Sequence, residues 1–334
     1  MKKTTQILFL LAVVAVLLIV GRAVLKQPPR EWTAPQVEFS EKLKNIEDTK
    51  YTKIEESQTG KEEASLGDQR DNEEKVEGLF ETNWQWVNQQ KKLYNLTEDE
   101  VDQILLETQE RFPDETDKLK ALSILRLGTP YQLGCLGEEG GRDRDPIFRL
   151  DVTDCTAFVL TNVALLHSQT TEEARAMMRY LNYQSNSEMT FENRLHFTVD
   201  RNVVSPYFQD ITGEVASGRS LKTVKVTLNK IKTNGERLIN INWEKEMVFG
   251  YIPSKYVTKT LLQGLPKTVG IAFIKKGDEQ IGLDVRHEGF LFDGNLLFHA
   301  SSVQKKVVSE NFLKYYFNKD NNSRFDGILL FQIN

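Results

Sequence analysis

The chain has 334 residues, of which 40% are hydrophobic and 27% charged, and its formal charge is -5. That length suits one sizeable core rather than two large domains, and the absence of a basic stripe excludes nucleic acid as a partner. With only Cys135 and Cys155, and neither a C-x-x-C nor an H-E-x-x-H pattern, no metal site and no cofactor are expected.

Lys2 and Lys3 precede an apolar run, Ile7 to Val20. A bilayer core asks for roughly 20 residues, which the run reaches only if it continues through Leu25 with Arg22 snorkelling. Residues 1–26 are therefore read as an uncleaved signal anchor. A cleaved signal peptide, with Gly21 and Ala23 as its small residues, is the rival. Either way the remainder is exported, and the membrane is a partner through this segment. Residues 27–77 are rich in Glu, Lys, Asp, Ser, Thr and Gln and poor in large apolar side chains. Such a stretch cannot bury enough surface to offset its ordering entropy, so it is expected to be a disordered acidic linker.

Globular sequence starts near residue 78. Phe80, Trp84, Trp86 and Val87 mark an amphipathic segment. Thr97 and Glu100 form a capping box before a helix running to about Phe112. A second helix spans roughly Asp117 to Leu127 and stops at Gly128. Thr153 and Asp154 are N-cap types, so Cys155 should begin a helix whose body, Phe158 to Leu166, is mostly apolar. A helix N-terminus favours thiolate over thiol, which makes Cys155 a candidate nucleophile. Two plainer readings compete, a small buried hydrophobe and a disulfide with Cys135. His167, at the expected end of this helix, reads as a structural cation against the dipole. Thr170 and Thr171 open one more helix to about Tyr183.

From Gly213 onward the pattern turns to strands: Leu221 to Leu228, Val269 to Ile274, Gly282 to Phe292, Leu296 to Ala300 and Gly327 to Ile333. Helices first and strands later imply an α+β fold with helices packed on an antiparallel sheet. His287 and His299 lie twelve positions apart around Asp293-Gly294-Asn295, a hairpin signal. Such a hairpin can set both imidazoles on one face, one to deprotonate Cys155 and the other to fix its tautomer.

Gly128-Thr129-Pro130-Tyr131, Asp154-Cys155-Thr156-Ala157-Phe158-Val159, Arg194-Leu195-His196-Phe197, Tyr251-Ile252-Pro253, Leu283-Asp284-x-x-His287-x-Gly289 and Leu297-Phe298-His299-Ala300-Ser301-Ser302 occur in that order. In these segments the chain resembles the N-acetylmuramoyl-L-alanine amidase-like branch of the NlpC-type, papain-like cysteine hydrolases of bacterial cell walls. The resemblance covers about Ala121 to the C-terminus. It implies a papain-like domain over 78–334, with Cys155 as nucleophile, His287 as general base and His299 as the orienting residue. Tyr131 would stand beside the thiolate. Asp154, Arg194, His196 and Asp284 are candidates for the substrate cleft, each with a plain alternative as a cap, hydrogen bond or ion pair. The implied substrate is peptidoglycan, cut either at the lactyl amide between muramic acid and L-alanine or within the stem peptide. A non-catalytic wall-binding module is the other class of function. The chain departs from the pattern at Ala157, Leu160 and Glu288, where many relatives carry Thr, Glu and an apolar residue.

Overall fold

The structure, a computed structural model, describes residues 81–137, 147–184, 187–216 and 221–334. The expected anchor over 1–26 and linker over 27–77 lie outside the described residues, as does Phe80. Among the described residues no helix is long and apolar enough to cross a membrane.

Helix α1 (81–89) lays Val87 into the core and sets Trp84 against Phe112, ring centroids 4.7 Å apart. Helix α2 (Glu98–Arg111) starts at the expected capping box: the Thr97 hydroxyl accepts from the Glu100 N–H, and the Glu100 carboxylate accepts from the Thr97 N–H. Asp114 caps α3 (Glu115–Leu125), which Gly128, at a φ of 85°, follows. Helices α4 (Cys155–Leu166) and α5 (Thr171–Asn182) open on Asp154 and Thr170. A shorter α6 (Thr198–Val204) had no sequence expectation.

The strands are β1 (Phe208–Asp210), β2 (Lys222–Leu228), β3 (Lys245–Pro253), β4 (Thr268–Ile274), β5 (His287–Phe292), β6 (Leu296–Ser301), β7 (Lys306–Asn311) and β8 (Gly327–Ile333). They form one sheet in the order β2-β3-β8-β4-β5-β6-β7, with β1 paired to β8 and every pairing antiparallel. The expected α+β layout of helices on an antiparallel sheet is what the chain adopts. The strand expected from Gly282 begins only at His287. Residues 278–281 make a 3-10 turn, and Gly282 has a φ of 80°, outside strand geometry.

Residues of the central strands alternate between two apolar layers. Ala272, Phe290, Phe292, Phe298 and Phe331 face the helical side with α4, while Ile271, Phe273, Leu291, Leu297 and Leu330 face the short helix Phe312–Tyr316. The body of α4, from Ala157 on, is buried all round, and the helix packs on β5. Phe158 and Phe290 mark that contact, with ring centroids 5.7 Å apart.

Candidate active site

The cysteine side of the site is built from backbone. Asp154 Oδ1 accepts from the Ala157 N–H at 2.8 Å and Oδ2 from the Gly134 N–H at 3.0 Å. One carboxylate thus caps α4 and pins the loop carrying Cys135. Cys155, the first residue of the helix, is partly exposed, and both cysteines are free thiols.

Burial is the first cause that pushes the Cys155 thiol up from its ordinary value, followed by the carboxylates of Asp154 and Glu288. The Glu288 backbone N–H and the Thr156 hydroxyl pull the other way and do not prevail. The expectation of a helix-stabilised thiolate is therefore overturned: a helix end contributes about 0.3–1 kcal/mol, too little against desolvation and two acidic neighbours. The resting sulfur is a thiol. Burial likewise pushes Cys135 up to about 12.

The histidine side is built from a hairpin. Asp293 and Gly294, at φ of 52° and 60°, make its turn. His287 Nε2 lies 2.8 Å from His299 Nδ1, and His299 Nε2 lies 3.1 Å from Glu310 Oε1 on β7. Continuing the β5–β6 register puts Gly289 opposite His299. A Cβ there would stand 2.4 Å from the Phe298 carbonyl oxygen and 3.0 Å from the His299 Cβ. The bare backbone at Gly289 is what lets the His299 ring lean diagonally onto His287. Phe273 stacks on His287 at 5.8 Å and Tyr315 tilts against His299 at 4.7 Å.

Burial pushes His287 down to about 3, helped by His299, and His299 down to about 4. Both rings are neutral near neutrality, and their protons can be assigned. A carboxylate only accepts, so His299 carries its proton on Nε2 toward Glu310 and accepts through Nδ1. His287 must then donate from Nε2, which leaves its Nδ1 lone pair as the basic nitrogen.

A short ladder joins the two sides. The Gly128 N–H donates to the Val307 carbonyl, and the Tyr131 N–H to that of Lys305. The Thr153 N–H donates to the Pro130 carbonyl, and the Gln132 N–H to that of Thr153. Residues 128–132 thus bond both to the β6–β7 turn and to the residue two before the nucleophile. Tyr131 is half-buried beside Cys155, and burial pushes its phenol up to about 12.

The remaining expected site residues hold backbone. Arg194 donates from Nη1 to the Gly137 carbonyl at 2.8 Å and from Nη2 to that of Leu136 at 3.2 Å. His196 Nε2 lies 2.6 Å from the Phe191 carbonyl oxygen. Asp284 is buried and accepts from the Val199 N–H at 2.7 Å and the Val285 N–H at 2.8 Å, tying the start of α6 to β5; burial pushes its carboxyl up to about 6. His167 caps the end of α4 as expected, but burial lowers its pKa, so the ring is no cation.

Sequence reasoning missed three groups. Glu310 lies on β7, which was not expected as a strand. Tyr315 lies on the short helix beneath the histidines. Arg201 of α6 reaches Glu288 through both Nη atoms, at 3.2 and 2.8 Å, with each side chain 1% exposed. Glu288 was noted only as a departure from a pattern, and no local signal couples it to a residue 87 positions earlier. Among the described residues no three His, Cys, Asp or Glu side chains converge to hold a metal ion.

Two solved structures share this fold. A Legionella pneumophila protein of the DUF1460 family matches with 21% identity and a TM-score of 0.56, over 71% of this chain and 95% of its own. An N-acetylmuramoyl-L-alanine amidase from Bacteroides uniformis matches with 23% identity and a TM-score of 0.52, over 66% and 99%. No curated protein matches. The N-acetylmuramoyl-L-alanine amidase-like family model matches residues 121–324, more than half of the sequence and all of the segment from α4 to β7. On that match, the chain belongs to the N-acetylmuramoyl-L-alanine amidase-like family.

Proposed function

We propose that this protein is an exported, papain-like hydrolase of the NlpC type that cleaves the amide between N-acetylmuramic acid and L-alanine in peptidoglycan. The observation that carries the reading is the continuous His287–His299–Glu310 chain on β5 to β7, the first of these strands packed on the helix that begins at Cys155. Family membership supplies the substrate class.

With a neutral thiol and a neutral imidazole at rest, proton transfer and attack go together. His287 Nδ1 takes the Cys155 proton as the sulfur bonds to the lactyl carbonyl carbon. In this reading the Cys155 backbone N–H and the Tyr131 hydroxyl donate to the oxyanion. His287, its positive charge spread through His299 toward Glu310, then gives the proton to the leaving nitrogen of L-alanine. The C–N bond breaks, and a thioester joins Cys155 to the lactyl group. Water, deprotonated by His287, attacks that thioester, releasing a lactyl carboxylate and restoring the thiol. The N-terminal segment would hold the enzyme to the membrane and the acidic linker would set its reach into the wall.

The test is digestion of purified muropeptides with wild-type and Cys155→Ala protein, with products read by mass. Free stem peptide beginning in L-alanine, made only by the wild type, is the expected result. Shortened stems still joined to muramic acid would replace this reading with an endopeptidase, and lysis by the Cys155→Ala protein would overturn the nucleophile.

A further inference from the structure

Beside the catalytic end of the sheet lies a groove of about 1130 Å³, walled by the loop after β3, the short helix Phe312–Tyr316 and the loop that returns to β8. Lys255, Lys259, Lys314, Lys319 and Arg324 line it, with Phe317, and no carboxylate does. All five cations are exposed, and among the described residues none of them makes an ion pair. Asp326, just before β8, is already engaged by Lys275 and Lys276, and Asp320, in the loop itself, does not line the groove. Five like charges collected in one concavity, on a chain whose net charge is -5, are an electrostatic focus for an anion and not a by-product of composition.

The groove is also joined to the catalytic residues. The Arg324 guanidinium lies 5.6 Å from the Tyr315 ring centroid, and Tyr315 in turn packs on His299. A polymer whose amide sits at Cys155 therefore has a cationic trough one aromatic ring away. Its polar rim and single partly buried phenylalanine suit a hydrated, charged chain better than an apolar one.

We propose that this groove is a second subsite that binds the carboxylate-bearing part of the same wall polymer, beyond the scissile amide. The proposal rests on the peptidoglycan reading above and adds to it a requirement for free stem carboxylates.

Binding is measured with full-length Cys155→Ala protein, which leaves the wall intact, by co-sedimentation with purified peptidoglycan at low and high salt. Adding Lys255→Glu, Lys259→Glu, Lys314→Glu and Lys319→Glu should weaken binding about tenfold at low salt and remove most of its salt dependence. Because all four side chains are exposed, the melting temperature should hold; Arg324→Gln gives a milder second variant expected to show the same direction. Wall whose carboxylates have been amidated should bind the parent as weakly as intact wall binds the fourfold variant. Unchanged binding by the folded variant overturns the proposal. So does binding that survives amidation but is lost when phosphodiester polymers are stripped from the wall, and so does preference for phosphatidylglycerol vesicles over wall. Hydrolysis is read separately, with Cys155 and the groove both unaltered, on a short muropeptide that ends at L-alanine and so offers the groove no further stem. No cleavage by the wild type would sink the catalytic reading while leaving the binding result standing.

Discussion

His287 and Glu288 are neighbours on β5, yet their side chains leave opposite faces of the sheet and end in different partners. Glu288 points to the helical side and meets Arg201, whose guanidinium also lies 4.5 Å from the Phe208 ring centroid. Both members are 1% exposed; Arg201 also donates to Asn202 Oδ1, and the Glu288 carboxylate is felt at Cys155. His287 points to the other face, where Tyr315, 6.3 Å from it between ring centroids, also feels Cys155 at the sheet's end; from there it passes through His299 to Glu310, whose side chain is 32% exposed. One polar pair is sealed and carries fixed charge; the other is neutral and opens toward solvent. The lesson is that burial alone does not mark a functional group. A buried group with matched charges serves as a clamp, whereas buried uncharged groups that can pass a proton along serve as machinery.

Removing the nucleophile or the base should separate the two faces most sharply. Cys155→Ala and His287→Ala should each lower kcat by a factor on the order of 10³ or more with little change in denaturant midpoint. Breaking the clamp should weigh on stability first: Arg201→Met or Glu288→Gln should cost about 3–5 kcal/mol in urea unfolding, and Glu288→Gln should in addition ease the Cys155 thiol downward, because the carboxylate it removes helps to push that thiol up. The paired change Arg201→Met, Glu288→Leu should recover much of that loss, since no lone charge is left buried. Gly289→Ala strikes the backbone between the two faces. Its methyl would meet the Phe298 carbonyl at 2.4 Å, so a cost of about 1–3 kcal/mol is expected, with activity falling further than stability because His299 is displaced.

A smaller effect is expected at the far end of the proton chain. Glu310→Gln should lower kcat about tenfold with KM unchanged, and Glu310→Asp should restore part of it. A last expectation concerns stability against pH. The folded histidines titrate near 3 and 4 and the unfolded ones near 6.5, so the unfolded chain binds more protons between these values. Stability should be full above about pH 6.5 and decline as pH falls toward 4. His287→Asn with His299→Asn should flatten that decline, as read from melting temperature across the range.

The parts legible in the sequence were those with local physics. The Thr97–Glu100 box, the Asp154 cap, the Asp-Gly turn and the short apolar runs of β4 and β8 each carry their signal within a few positions. The His-x-Gly spacing was legible as a motif, and its reason appears only in three dimensions, where the missing Cβ admits the His299 ring. Strand β3 was missed because Lys245 and Glu246 open it, Gly250 interrupts its apolar run and Pro253 ends it. Strand β7 was missed because Lys306 to Asn311 is short and mixed, and Glu310 was lost with it. The Arg201–Glu288 clamp joins an unrecognised helix to a strand far along the chain, and nothing local announces it. The thiol's protonation was misjudged for a related reason: the dipole belongs to the helix, whereas the desolvation belongs to the whole fold.

The ladder through residues 128–132 has a kinetic meaning. Because the same five residues bond to the β6–β7 turn and to Thr153, the sulfur-bearing and imidazole-bearing halves share a set of amides. The protected protons of Gly128, Tyr131, Thr153 and Val307 should exchange with deuterium at one common rate. The two halves would then come apart in a single opening event, never one before the other.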